Sequence, residues 1–188
     1  MSQAKTLTQQ EIKQVLGIIA IGKHVQRNRA LFLFTVYGGT RAGELSQLRY
    51  CDVIDENNQV RNEIRLLATQ TKGGVERTIF VNERLQKELT IYAKELTCVN
   101  RTDPFFYTQK RKGFTANTLA QHFFWQYKKS GITGGSSHSG RRTFITTLAS
   151  KGVSVRVLAS LAGHANISTT QRYIDVNDDM KRQAVELM

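Results

Sequence analysis

Hydrophobic residues recur at helical spacing along much of the chain. Ile12, Val15, Leu16 and Ile19 follow one another at intervals of three or one residues, which places them on one face of an α-helix. The T-x-x-E sequence at 8–11 directly precedes them and is typical of a capping box. The chain is therefore expected to begin with an amphipathic helix.

The next segment is apolar almost all round. Residues 29–39, RALFLFTVYGG, end in two glycines, as a buried helix does. Thr40 is then expected to cap a further helix that turns Leu45 and Leu48 inward.

Between residues 62 and 81 the pattern changes to two β-rich segments. A turn containing Lys72, Gly73 and Gly74 separates them. This arrangement predicts an antiparallel hairpin.

Helical spacing returns in the second half of the chain. Each expected helix is preceded by a residue type that favours the N-cap position. The expected helices are one capped by Asn82, one over residues 115–129, one from Ser137 to Ala149, one from Ser154 to Ala162, and a short one capped by Ser168 that carries Tyr173. The sequence thus predicts a mainly α protein with a small antiparallel β-sheet, of the α+β class.

Charge narrows the choice of partner. The 188 residues include 27 Lys and Arg against 15 Asp and Glu, a formal charge of +12. Such an excess favours a polyanion, and nucleic acid is the leading candidate. An anionic membrane is the rival, but the sequence offers no basic amphipathic helix, no lipidation motif and no apolar stretch approaching the roughly 20 residues that span a bilayer. We expect a soluble cytoplasmic protein associated with the nucleoid, and no membrane partner.

The two cysteines point to no special chemistry. Cys51 and Cys98 are isolated and form no C-x-x-C pair, so neither a disulfide framework nor a zinc site is indicated. They are expected to be core thiols, and we expect no cofactor and no metal.

Residues 138–173 concentrate groups that could act together on a phosphate. His138 and Arg141 lie three residues apart near an expected helix N-terminus, where backbone N–H groups favour anions. His164 follows a glycine that ends a helix, and Tyr173 comes nine residues later. Alone, a histidine or tyrosine is usually structural. Together these groups could supply a phosphate clamp, a proton donor and a nucleophile.

Four motifs in this order resemble the catalytic domain of the tyrosine recombinases, the phage integrase family of site-specific DNA recombinases. They are GGTRAGELSQL at 38–48, TKGGVERTIFV at 71–81, HSGRRTF at 138–144 and LAGHANISTTQRYI at 161–174. The resemblance extends from about residue 8 to about residue 180. It implies the fold of that catalytic domain and a reaction in which DNA strands are cleaved and rejoined.

The resemblance also implies a role for each matching residue. Tyr173 would be the nucleophile that attacks a DNA phosphate and forms a 3′-phosphotyrosyl bond. Arg41 and Arg141 would hold the non-bridging oxygens, a task suited to the planar and permanently charged guanidinium.

Four further residues would assist. His138 and His164 would act by hydrogen bonding and proton transfer. Lys72 would protonate the departing 5′ oxygen, and Glu44 would orient neighbouring groups as an accessory residue.

The resemblance implies an assembly as well. The partner would be double-stranded DNA, bound by a homotetramer on two DNA sites, with accessory DNA-bending proteins in some systems. Most family members carry an N-terminal core-binding domain. We expect residues 1–188 to form a single catalytic domain without it.

Two alternatives stay open. Residues 148–164 imitate a helix-turn-helix motif, which would make the protein a DNA-binding regulator without catalysis. Its second helix, however, offers only Arg156 and a serine to base edges, too few for a groove reader. A type IB topoisomerase uses similar tyrosine chemistry to relax supercoils, but the spacing of the motifs and the small size favour recombination.

Overall fold

A computed structural model describes residues 4–71, 73–96, 100–110, 112–174, 181–182 and 185–186. It has the predicted α+β class, with helices and one two-stranded antiparallel sheet in the described part of the chain. In chain order the elements are α1 (Gln9–Ala20), α2 (Val25–Gly38), α3 (Ala42–Gln47), α4 (Tyr50–Val53), β1 (Glu63–Leu66), a 3₁₀ turn (Ala68–Gln70), β2 (Arg77–Phe80), α5 (Glu83–Ala93), α6 (Ala116–Lys129), α7 (Ser139–Ser150), α8 (Val155–Ala162) and α9 (Ile167–Gln171).

Helix α2 lies at the centre of the fold, as its apolar sequence predicts. It packs against α1, α5 and α7. Phe32 and Phe34 are buried on different sides of it, the first against Tyr127 and the second against Phe106. Because α2 is surrounded, the loop at its C-terminus is held firmly, and this loop leads directly into the first arginine motif.

The predicted hairpin is present. Strands β1 and β2 pair with Glu63 opposite Phe80 and Leu66 opposite Arg77. Ile64, Leu66 and Ile79 are buried, so the alternation of the strands turns one face to the core. The segment containing Gly73 and Gly74 connects the strands at the far end.

Several caps are confirmed. Thr8 and Glu11 form the predicted capping box at α1. The side chain of Asn82 accepts from the Leu85 amide at α5, and that of Ser154 accepts from the Val157 amide at α8.

Three predicted caps are wrong. The Thr40 hydroxyl is buried and donates to the Phe34 carbonyl, so Arg41 occupies the N-cap of α3. At α7 the N-cap is His138 instead of Ser137. At α9, Asn166 caps the helix by accepting from the Ser168 amide, and Tyr173 lies two residues beyond its last residue.

The structure bears on the expectations of core cysteine thiols and of no membrane-spanning segment. Cys51 is a half-buried free thiol, whereas Cys98 lies outside the described residues. Within the described ranges, no helix has the length and apolar character needed to cross a membrane.

Candidate active site

Arg41 and Glu44 are joined at the start of α3. Arg41 is the N-cap residue, and its backbone N–H donates to Glu44 Oε2 at 2.7 Å. Its guanidinium donates to Glu44 Oε1, also at 2.7 Å. The Glu44 side chain is 1% exposed and that of Arg41 is 24% exposed. The arginine that the motif singled out is thus oriented by a buried carboxylate while part of it still reaches the surface.

A second arginine shares that carboxylate. Arg77, at the start of β2, donates from Nε and NH2 to the two oxygens of Glu44, at 3.2 and 2.7 Å. Burial raises the pKa of Glu44, but the charge and hydrogen bonds of Arg77 and the Arg41 amide outweigh it and hold this pKa below its ordinary value. Glu44 is therefore ionised at neutral pH.

Arg141 lies on the first turn of α7 and is buried. It donates to the Gly39 carbonyl at 2.7 Å and to the Ala162 carbonyl. Burial lowers its pKa to about 9, and the nearby charges of Arg41 and Arg77 add to that effect. Arg141 is still protonated at neutral pH, and its partners at these two bonds are neutral carbonyls.

His164 follows the left-handed Gly163 that ends α8. Its Nδ1 lies 2.8 Å from the Thr170 hydroxyl. Burial lowers the pKa of His164 to about 4, and the cations Arg141, Arg41 and Arg77 contribute in that order after it. The imidazole is therefore neutral at neutral pH, with one N–H donor and one acceptor nitrogen.

Tyr173 lies against His164. The two rings are almost parallel, with centroids 6.0 Å apart and planes inclined by 16°. On the same tyrosine, the guanidinium carbon of Arg142 lies 5.4 Å from the ring centroid. Arg142 is itself held by a hydrogen bond from Nε to the Thr6 hydroxyl at 2.9 Å. The tyrosine is thus placed between an imidazole and a cation.

The remaining predicted residues are placed less fully. His138 occupies the N-cap of α7 and is exposed. Lys72 lies outside the described residues. Its neighbours Thr71 and Gly73 line a cleft of about 760 Å³ together with Arg41 and His164.

Sequence reasoning missed three residues of this site. It assigned no role to Arg77 or Thr170, and it expected Arg142 to contact the backbone or an acidic neighbour, whereas Arg142 contacts Thr6 and Tyr173. One feature of the sequence could have indicated Arg77. It occupies an inward-facing position of a strand, two residues before the apolar inward-facing residue Ile79. No pattern in the sequence indicated the other two.

Known proteins share both the sequence pattern and the fold. Tyrosine recombinase XerA of Pyrococcus horikoshii is 30% identical over 190 residues, an alignment that covers 98% of this chain and 61% of that protein. The crystal structure of XerA recombinase matches with a TM-score of 0.78 and 24% identity, over 100% of this chain and 66% of that one. The Tn1549 transposon integrase in complex with circular intermediate DNA matches with a TM-score of 0.78 and 23% identity, over 98% of this chain and 66% of that one.

Each of these matches covers nearly all of this chain and about two thirds of the other protein. The chain spans about 61% of the length of the curated relative quoted above, and the likeness to the solved structures concerns the fold. The model of the phage integrase family matches residues 5–180, a range that contains the whole arrangement from Arg41 to Tyr173. With its motifs, its fold and nearly all of its length in agreement, the chain belongs to the phage integrase family.

Proposed function

We propose that this protein is a site-specific DNA recombinase that cleaves and rejoins strands through a 3′-phosphotyrosyl intermediate. The observation that carries the proposal is the convergence of Arg41, Arg141 and His164 on one region, with Tyr173 stacked on the imidazole. Family membership supports the same reaction class.

The charge of the site suits a phosphodiester. Arg41, Arg77 and Arg141 carry three positive charges and Glu44 one negative charge, which leaves a net charge of +2. Arg141 uses two of its five N–H donors on backbone carbonyls, so its planar fork is oriented before any anion arrives. Removing one such preorganised donor typically costs about 3 to 4 kcal/mol of transition-state stabilisation.

The proposed reaction exchanges one phosphate ester bond for another. The Tyr173 oxygen forms a bond to phosphorus and loses its proton, and the bond from phosphorus to the 5′ oxygen breaks. Ionising a free tyrosine at pH 7 costs roughly 4 kcal/mol, so a base and nearby cations must assist. We assign this assistance to His138 and His164, through hydrogen bonding and proton transfer, and the His164 ring lies against that of Tyr173. Lys72 would give a proton to the 5′ oxygen.

The partners belong to the same proposal. Double-stranded DNA would be bound by the basic surface of a chain that carries a net charge of +12. Recombination requires two duplexes, for which we propose a homotetramer assisted in some systems by DNA-bending proteins. Residues 1–188 would act as one catalytic domain.

Covalent capture tests the proposal. The protein is incubated with nicked DNA fragments, so that the short cleaved piece diffuses away, and DNA still attached after denaturation is sequenced. We expect adducts at 3′ ends that disappear in Tyr173→Phe and persist in the matched control Tyr50→Phe. Adducts that persist in Tyr173→Phe would refute the assignment of the nucleophile.

Strand-joining, supercoil-relaxation and DNA-binding assays separate the alternatives. Joining of the bound 3′ end to the 5′-hydroxyl of a second duplex supports recombination, whereas relaxation of supercoils without exchange between duplexes supports a topoisomerase. Salt-sensitive DNA binding without any adduct supports a non-catalytic DNA-binding protein.

A further inference from the structure

Arg77 joins three elements that each carry part of the candidate site. It is the first residue of β2, and its side chain is 5% exposed. Its Nε and NH2 donate to Glu44 on α3, and its NH1 donates to the Leu161 carbonyl in the last turn of α8 at 2.6 Å. All three guanidinium nitrogens therefore have acceptors within the protein.

One of these contacts reaches Arg41 through a single carboxylate. Glu44 Oε2 accepts from Arg77 NH2 and from the Arg41 amide, both at 2.7 Å, and Oε1 accepts from both guanidinium groups. A buried carboxylate with four such donors has little rotational freedom. Loss of Arg77 would leave Glu44 held by Arg41 alone, so the orientation of Arg41 depends on Arg77.

The other contact reaches His164. The Leu161 carbonyl belongs to the negative end of the α8 dipole, which a cation stabilises. Gly163 packs against the aliphatic part of the Arg77 side chain, since a Cβ at this position would lie 2.5 Å from Arg77 Cδ. Its φ of +60° lies in the left-handed region that favours glycine. The turn that presents His164 is thus built directly on the Arg77 side chain.

We infer that Arg77 is a positioning residue for strand cleavage, which holds Arg41 and the His164 turn in fixed relation to the hairpin. This inference rests on the proposed function. In this role Arg77 acts through Glu44 and the Leu161 carbonyl, to which three of its five N–H groups donate. Its position on β2 also links both groups to the hairpin segment that contains Lys72.

The test compares Arg77→Gln with Arg65→Gln. Arg65 lies on β1 of the same hairpin, and its side chain is 72% exposed in an ion pair with Glu76, so the control removes the same charge from the same element. Single-turnover cleavage of a nicked DNA substrate is measured with saturating protein. We expect cleavage by Arg77→Gln to be at least about 100-fold slower than wild type, as for a displacement of about 1 Å among reacting groups, and cleavage by Arg65→Gln to match wild type.

A second readout does not depend on cleavage. The Arg41 amide donates to Glu44, and the His164 amide donates to the Ala159 carbonyl, so residue-resolved hydrogen exchange by NMR reports both positions. We expect faster exchange of both amides in Arg77→Gln and unchanged exchange in Arg65→Gln. A structural role elsewhere in the fold would not single out these two amides.

Each outcome decides the inference. Unchanged exchange at both amides in folded Arg77→Gln, or cleavage equal to that of Arg65→Gln, would overturn it. If Arg77→Gln does not fold, Arg77→Lys is measured in the same way, with slowing expected because an ammonium cannot reproduce the two-pronged contact. If wild type cleaves no DNA, the proposed function fails, and the exchange measurement alone decides whether Arg77 positions the two residues.

Discussion

Replacing Gly140 with alanine would force α7, which carries Arg141, away from α2. Gly140 lies on α7 beside Arg141, against Thr35 of α2. An added Cβ would lie 1.9 Å from the Thr35 hydroxyl oxygen, 2.6 Å from its Cβ and 3.2 Å from its carbonyl carbon. Rotating the Thr35 side chain moves its hydroxyl and methyl groups and breaks the hydrogen bond to Phe32. It leaves Cβ in place, so the contact with Cβ persists and the α7 backbone must move.

The size of the effect follows from that geometry. Overpacking of this kind typically costs about 1 to 3 kcal/mol, against which alanine gains at most about 1 kcal/mol of helix propensity over glycine. Contacts as short as 1.9 and 2.6 Å place the cost at the upper end of that range, so we expect Gly140→Ala to lower the free energy of unfolding by about 2 kcal/mol in net terms. Since Arg141 is the next residue, a shift approaching 1 Å should also slow cleavage about 100-fold.

Urea unfolding followed by circular dichroism and single-turnover cleavage measure the two effects. The matched control is Gly17→Ala on α1, where an added Cβ meets no atom within 4 Å. This variant should gain up to about 1 kcal/mol and cleave like wild type. A Gly140→Ala protein with the stability and cleavage rate of wild type would show that α7 is not displaced from α2.

Three further predictions follow from the charges of the site. The NMR titration midpoint of His164 should lie near 4. Because this pKa is below the ordinary 6.5, His164 should reduce the free energy of unfolding as pH falls from about 6.5 towards 4. A midpoint near 6.5 would contradict the effect of burial. Glu44→Gln should cost about 3 kcal/mol in urea unfolding, because it leaves buried cations uncompensated, whereas Glu76→Gln in an exposed pair should cost less than about 1 kcal/mol. Arg142→Gln should shift the ring resonances of Tyr173 in NMR spectra through loss of the cation–π contact, and unchanged resonances would show that the contact is absent in solution.

Helices and hairpin could be predicted from the sequence because both depend on burial of an apolar face. Residues 29–39 are apolar almost all round and were therefore predicted to be buried on all sides, as α2 is in the structure. Caps were less predictable because they depend on a local competition. Thr40 is a favourable cap residue by type, but its hydroxyl donates to the α2 carbonyl of Phe34, and the Glu44 carboxylate accepts from the α3 amide at Arg41 instead.

Motif resemblance could indicate candidate site residues but not the contacts that orient them. Arg77 meets Glu44 across 33 residues and Leu161 across 84, and neither pairing leaves a periodic trace in the sequence. The contact of Arg142 with Tyr173 likewise depends on the packing of α7 against the segment after α9. Such pairings follow from the tertiary fold, so they become visible only in the structure.

The way in which Arg141 is held explains how the site keeps its positive charge. Its two hydrogen bonds go to backbone carbonyls, which orient a guanidinium without cancelling its charge. The buried carboxylate of Glu44 is shared between Arg41 and Arg77, so Glu44 and the three arginines Arg41, Arg77 and Arg141 together keep a net charge of +2. Burying these cations together is unfavourable for folding, since burial first and the neighbouring arginines after it lower the pKa values of Arg141 and His164. In the proposed function a bound phosphodiester would supply the missing negative charge, so the arrangement that weakens the free protein would be the one that favours binding of the DNA backbone.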